Sequence, residues 1–123
     1  MKKIAVIGTG YVGLVSGAGL AEFGHEVTCI DINEEKIHKL NEGIIPIYEP
    51  GLKSLVSKNV KDKRLYFSSN IESVIRDSRI IFIAVGTPQG SDVKAYLGSV
   101  SSAVDTIIRN LSSYKIICTK RNV

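Results

Sequence analysis

A short apolar run that ends in glycine constrains the fold of this chain more than any other feature. Lys3-Ile4-Ala5-Val6-Ile7-Gly8 has no polar alternation, a pattern typical of a strand buried on both faces. Gly8-Thr9-Gly10-Tyr11-Val12-Gly13 follows as a G-x-G-x-x-G sequence, and a helix is predicted over residues 11–23. The chain therefore begins with a strand, a glycine-rich turn and a helix.

Each glycine of this turn has its own physical use. Gly8 permits a tight turn, Gly10 lets the backbone approach a pyrophosphate, and Gly13 lets the helix lie close on the sheet. The free N–H groups and the positive end of the helix dipole favour an anion at this place. The alternative interpretation is a purely structural turn, because glycine-rich turns are common.

The remaining sequence alternates apolar strand-like runs with helical patterns. Further strands are predicted at residues 26–31, 64–68, 79–85 and 114–119. Further helices are predicted from an Asn33 cap to Gly43, at 51–57, after an Asn70 cap at 71–75, and at 96–111. This alternation predicts an α/β fold, a doubly wound parallel sheet of the Rossmann type, with residues 1–123 as one domain. Ligands of such sheets bind outside the carboxyl ends of the strands.

Composition limits the classes of partner. The net charge of +4 permits an anionic ligand, but only residues 58–64 form a basic cluster, and no aromatic ladder accompanies it. We therefore interpret that cluster as a solvated helix end and loop, and we expect no nucleic-acid partner. The longest apolar run, residues 80–85, is too short to cross a membrane. Cys29 and Cys118 lie in apolar runs, which favours buried free thiols in a reducing cytoplasm, and no cluster has metal-ligand spacing.

Two further segments fall at the predicted ligand crevice. Asp31 ends the second strand, where its carboxylate can accept hydrogen bonds from both ribose hydroxyls and repel a 2′-phosphate. It thus favours NAD over NADP, although the nearby Lys36 and Lys39 weaken that preference a little; the alternative is a simple solvated strand end. Val85-Gly86-Thr87-Pro88 follows the central strand and can line the second half of the crevice, or be an ordinary exit from a strand.

These residues closely resemble the amino-terminal part of the UDP-glucose 6-dehydrogenase family. The resemblance rests on residues 3–17, 24–31, 40–43, 46–52 and 85–88. Its most specific parts are Tyr11-Val12-Gly13 and Tyr48-Glu49-Pro50-Gly51-Leu52. The resemblance covers nearly the whole chain, but only the first portion of the family's longer sequence.

The resemblance implies a two-step, NAD-dependent oxidation of UDP-glucose to UDP-glucuronate by a homo-oligomeric enzyme. It implies that the cofactor contacts lie at the glycine-rich turn (Gly8, Thr9, Gly10, Tyr11, Val12 and Gly13), at Asp31 and Lys36 beside the adenosine ribose, and at Val85, Gly86 and Thr87. GDP-mannose and UDP-N-acetylmannosamine dehydrogenases are the close alternatives. The sugar contacts of the family lie mostly outside the matched segments.

The chain also departs from the family pattern. The family's catalytic cysteine, lysine, asparagine and glutamates lie downstream of every matched segment, so no catalytic residue is assigned and we expect the chain alone to be inactive. Arg121-Asn122-Val123 stands where the family reads Ser-Thr-Val after Thr119-Lys120. We therefore expect an NAD-binding domain without the family's central and carboxyl-terminal domains. Two other interpretations remain open: a non-catalytic nucleotide-binding module and a defective, aggregation-prone remnant.

Overall fold

The chain folds around an all-parallel sheet. The computed structural model describes residues 2–46 and 49–84 and the backbone of 116–119. The five strands lie in the order β3-β2-β1-β4-β5. They are β1 (Lys3–Ile7), β2 (Glu26–Ile30), β3 (Leu65–Ser68), β4 (Ile80–Ile83) and β5 (Ile116–Thr119). The helices are α1 (Tyr11–Glu22), α2 (Glu34–Asn41), α3 (Leu52–Lys61) and α4 (Ile71–Asp77).

Helices cover both faces of this sheet, which confirms the predicted doubly wound fold. Ile4 and Val6 of β1 belong to one hydrophobic cluster, to which α1, α2 and α3 also contribute buried side chains. Ala5 and Ile7 of the same strand belong to a second cluster, which includes Ile75 of α4. Successive side chains of a strand point to opposite faces. A strand covered on both sides is therefore apolar along its covered length, as Ile4 to Ile7 of β1 are.

The predicted helix boundaries are largely confirmed by their caps. The Asn33 side chain accepts a hydrogen bond from the amide three residues later at 3.1 Å, and the Asn70 side chain does the same at 3.4 Å. Such caps satisfy amides that have no partner inside the helix. Gly24 and Gly43 follow α1 and α2 with φ of 102° and 86°, the left-handed conformation predicted for them.

Helix α3 is longer than the sequence predicts, because a polar network around the buried Asn59 stabilises its last turn. The fully buried Asn59 side chain donates hydrogen bonds to Glu22 Oε2 at 3.0 Å and to the Leu55 carbonyl at 2.9 Å. Arg64 Nε donates to Asn59 Oδ1 at 3.2 Å, and Lys58 Nζ lies 2.7 Å from Glu22 Oε1. The basic cluster thus lies at a helix end, as interpreted, but two of its members are in ion pairs or hydrogen bonds. The helix predicted at 96–111 lies outside the described residues.

Within the described part of the chain, every helix is too short or too polar to cross a lipid bilayer.

Helix α1 lies close to the sheet because glycines face it. A Cβ at Gly13 would lie 2.0 Å from the Gly8 carbonyl oxygen, and a Cβ at Gly17 would lie 2.6 Å from Cys29 Sγ. Real Cβ atoms do not approach other heavy atoms so closely, so any side chain at either position would push the helix away. Gly19, on the same helix, has no atom within 4 Å of its Cβ position.

We expect Gly17→Ala to lower the free energy of unfolding by about 1–3 kcal/mol, the usual cost of overpacking a core. In Gly17→Ala/Cys29→Ala the sulfur that the new methyl group meets is gone. The double variant should therefore be more stable than the sum of the two single changes predicts. Urea unfolding followed by circular dichroism measures the three variants. Gly19→Ala is the matched control and should be neutral or stabilising by up to about 1 kcal/mol; an equal loss at both glycines would contradict the packing argument.

The Glu22 network should make stability depend on pH. Hydrogen bonds from Lys58 and Asn59 hold the pKa of the Glu22 carboxyl below its usual range. Because the pKa is lower in the folded chain, this stabilisation is present above the unfolded pKa of about 4.3 and is lost as pH falls through the folded pKa. In Glu22→Gln, the deficit in urea midpoint relative to the parent chain should be largest near neutral pH and should shrink as the pH falls below 4.3. A deficit that stays constant with pH would rule out the carboxylate as its source.

Candidate functional site

The carboxyl ends of three strands are tied together at the glycine-rich turn. The Gly8 amide donates to the Ile30 carbonyl at 2.8 Å, and the Ala84 amide donates to the Ile7 carbonyl at 2.8 Å. Gly8 has φ of 112°, which only glycine adopts without strain. From β1 the chain proceeds to β2 and β3 on one side and then to β4 on the other side of β1. The edge between β1 and β4 is therefore the switch point at which ligands of such sheets bind.

The backbone N–H groups at the amino terminus of α1 have no acceptor within the helix. The first helical bond runs from the Leu14 amide to the Gly10 carbonyl, so the earlier amides have no partner within the helix. Gly10 provides no side-chain cap, and no acidic residue stands in the first turn. A Cβ placed at Gly10 would meet no atom within 4 Å. The helix end is thus open to an anion, which the helix dipole would stabilise.

The side chains of the turn do not all face this opening. Thr9 is only 1% exposed and its hydroxyl is directed to Asp31, while Val12 packs against the hydrophobic core. Tyr11 is 46% exposed. Thr9 and Val12, which the sequence analysis predicts as cofactor-binding, can therefore meet a ligand in this arrangement through their backbone, and their side chains serve the fold.

Asp31 lies at the end of β2, beside the turn, with its carboxylate held on both oxygens. Thr9 Oγ1 donates to Asp31 Oδ2 at 2.7 Å, and the Asn33 amide donates to Asp31 Oδ1 at 3.0 Å. Lys36 Nζ lies 3.8 Å from Oδ2. The side chain of Asp31 keeps 17% of its surface exposed. The structure thus brings Asp31 and Lys36 together, as the sequence predicts, and leaves the carboxylate accessible to a hydroxyl donor.

The Asn33 amide makes a contact with Asp31 that the sequence patterns did not predict. Asn33 was predicted only as the cap of α2, yet its own N–H also orients Asp31. Aspartate often accepts from the backbone amide two residues later, so the Asp-x-Asn spacing carries this signal. Residues 47–48, 85–115 and 120–123 lie outside the described residues, and so do the predictions for Tyr48, Val85, Gly86, Thr87, Arg121 and Asn122.

Other reactive side chains are placed elsewhere. Cys29 is a buried free thiol within β2, and burial raises its pKa to about 12, which makes it a poor nucleophile. His38 is exposed and lies 2.6 Å from Glu42 on α2. A cavity of about 110 Å³ lies at the opposite edge of the sheet, lined by Lys3, Glu26 and Asp77 among others. The open amino terminus of α1 does not lie at that cavity but at the carboxyl ends of the strands. The candidate site is therefore the one with free backbone donors and a carboxylate, and not the cavity.

The geometry fits one class of ligand. An anion can lie at the amino terminus of α1, and a pair of hydroxyl groups can donate to Asp31 at the neighbouring strand end. A dinucleotide carries both features, a pyrophosphate next to a ribose. Among the described residues no group of three or more His, Cys, Asp or Glu side chains could hold a metal ion.

Comparisons with known proteins agree with this geometry. The family model for the NAD binding domain of the UDP-glucose/GDP-mannose dehydrogenase family matches residues 2–123. The UDP-glucose 6-dehydrogenase TuaD of Bacillus subtilis is 58% identical over 123 residues, which are 100% of this chain and 27% of that protein. The chain therefore spans little more than a quarter of the length of this curated relative.

Solved structures share the fold over the same extent. A UDP-glucose dehydrogenase from the archaeon Pyrobaculum islandicum superposes with a TM-score of 0.89 and 34% identity, covering 100% of this chain and 29% of that one. A GDP-mannose dehydrogenase from Pseudomonas aeruginosa superposes with a TM-score of 0.84 and 32% identity, with the same coverage. The chain belongs to the UDP-glucose/GDP-mannose dehydrogenase family and corresponds to its NAD-binding domain.

Proposed function

We propose that this chain binds NAD at the carboxyl edge of β1 and β2 and serves an oxidation of a nucleotide sugar. One observation carries the proposal: the open amino terminus of α1 lies beside an oriented, accessible carboxylate, Asp31. A purely structural turn would not require an uncapped helix end next to a held acidic group. The family match supports the same cofactor.

Different residues would contact different parts of NAD. The amides at the start of α1 would hold the pyrophosphate, and the absence of a Cβ at Gly10 would let it approach the backbone. Asp31 would accept hydrogen bonds from the hydroxyls of the adenosine ribose. Ile32, which is 81% exposed beside it, offers apolar surface for the adenine ring. When bound, NAD supplies the hydride acceptor of the reaction.

The balance of charge favours NAD over NADP. A 2′-phosphate would bring a second negative group against Asp31, which the protein already holds in place from two sides. Lys36 could attract that phosphate, but its ammonium lies 3.8 Å from Asp31 Oδ2 and so is already opposed by the carboxylate. The two side chains together present little net positive charge to a 2′-phosphate. The repulsion between that phosphate and the Asp31 carboxylate therefore favours NAD.

For the whole protein we propose the oxidation of UDP-glucose at C6 to UDP-glucuronate. Relatives that are 58%, 49% and 47% identical to this chain are UDP-glucose 6-dehydrogenases, which supports the glucose substrate. The resemblance at residues 46–52 supports it as well. We further place the protein in the cytoplasm, with which the free thiol of Cys29 agrees, and we expect a homo-oligomer by the family resemblance.

Calorimetric titration of the purified 123-residue chain with NAD tests the site directly. We expect saturable binding of NAD and clearly weaker binding of NADP. Asp31→Asn should weaken NAD binding by about tenfold to a hundredfold, because it removes hydrogen bonds to a charged acceptor. Asp77→Asn, the same change at the opposite edge of the sheet, is the control and should bind as the parent does. A folded parent chain that binds no NAD would refute the proposal.

A single methyl group at Gly10 should separate binding from folding. Gly10 has φ of −77° and ψ of −163°, a conformation open to any residue, and its Cβ would meet no atom within 4 Å. We therefore expect Gly10→Ala to unfold at the parental urea concentration but to bind NAD at least about tenfold more weakly, because the methyl group occupies the place of the pyrophosphate. Gly19→Ala, the same change further along α1, should alter neither NAD affinity nor fold. Parental affinity in Gly10→Ala would place the pyrophosphate elsewhere.

A further inference from the structure

Thr9 is a buried polar residue within the glycine-rich turn. Its hydroxyl does not bond the nearby backbone but donates to Asp31 Oδ2 at 2.7 Å, 22 residues away in the sequence. We propose that Thr9 is a positioning residue, which fixes the Asp31 carboxylate for the adenosine ribose and thereby contributes to the preference for NAD over NADP. This inference rests on the proposed NAD site.

Two donors from different segments define the plane of the carboxylate. The Asn33 amide holds Oδ1 at 3.0 Å from the start of α2, and the Thr9 hydroxyl holds Oδ2 from the glycine-rich turn. With only one of them the carboxylate could rotate about its Cβ–Cγ bond. A carboxylate has about four acceptor sites, so these two bonds leave acceptors for two ribose hydroxyls. Lys36, at 3.8 Å, lies too far away to replace the hydroxyl as an orienting donor.

The hydrogen bond from Thr9 to Asp31 should also influence the preference between NAD and NADP. A carboxylate free to rotate could turn away from a 2′-phosphate and leave Lys36 to meet it. Thr9 prevents that rotation by holding Oδ2 on the side of the turn, so the negative charge stays where the phosphate would lie. Loss of the hydroxyl should therefore harm NAD binding more than NADP binding.

Three variants of the 123-residue chain separate the hydroxyl from the shape of Thr9. Thr9→Val keeps the shape and loses the donor, Thr9→Ala loses both, and Thr9→Ser keeps the donor. We expect Thr9→Val to weaken NAD binding by about tenfold, because NAD must then immobilise a carboxylate that the hydroxyl no longer holds, with a smaller change for NADP. Thr9→Ala should behave alike, and Thr9→Ser should restore the affinity to within about twofold. Thr28→Val, the same chemical change in the middle of β2, is the matched control.

A double-mutant cycle distinguishes positioning from a general structural role. If Thr9 acts through Asp31, then Thr9→Val should cost no further NAD affinity in a chain that already carries Asp31→Ala. An equal cost in both backgrounds would overturn the proposal, and so would parental NAD affinity in Thr9→Val and Thr9→Ala.

A measurement without NAD tests the positioning independently of the proposed function. The NMR resonance of the Asn33 amide reports the orientation of the carboxylate that it contacts. It should move in Thr9→Val and Thr9→Ala and stay near its parental position in Thr9→Ser. An unmoved resonance overturns the positioning role. A moved resonance in a chain that binds no NAD would retain that role and refute the proposed function and the contribution to cofactor choice.

Discussion

The close contact between α1 and the sheet is the constraint on which the rest of the structure depends. Gly13 lies against the Gly8 carbonyl and Gly17 lies against Cys29, with no space for a Cβ at either position. A helix at this distance starts immediately beyond the end of β1, so its free amides lie at the carboxyl edge of the sheet. A larger residue at either position would move the helix away and take the amides with it. The position of this open helix end is thus a consequence of packing.

The glycine-rich turn also brings the packed helix end next to a charged residue, Asp31. Its backbone ties β1 to β2 through the bond from Gly8 to Ile30, which brings the end of β2 alongside the turn. The Thr9 side chain can then reach Asp31, the first residue after β2. A donor-rich helix end and an acceptor carboxylate consequently lie side by side, and in the proposed site the first would hold a phosphate and the second the hydroxyls of a ribose. Neither could recognise a dinucleotide alone, since many anions fit the first and many polyols fit the second.

The sequence was sufficient for those features that depend on local patterns. Unbroken apolar runs predicted β1 and β4, asparagines predicted the caps of α2 and α4, and Asp31 was predicted at the end of β2. The features it failed to predict depend on contacts between distant residues. Helix α3 extends to Lys61 because the Asn59 side chain donates a hydrogen bond to Glu22 on α1. The polar residues of that segment, taken alone, indicate a loop. Thr9 was correctly placed in the turn, but its partner could not be known before the strands were paired.

The parts of the site differ in how tightly the fold constrains them. Gly13 belongs to the packing, so its identity is fixed whichever cofactor is bound. Gly10, Asp31 and Lys36 contribute to neither hydrophobic cluster, so their substitution leaves the core intact. Thr9 stands between the two groups, since it is buried like a core residue yet its hydroxyl donates to the carboxylate of Asp31. Cofactor preference in this fold can therefore change through a few edge residues while the glycine pattern stays the same. For this reason the glycine pattern alone does not separate NAD from NADP, and in the proposed site that distinction falls to Asp31 with its two donors.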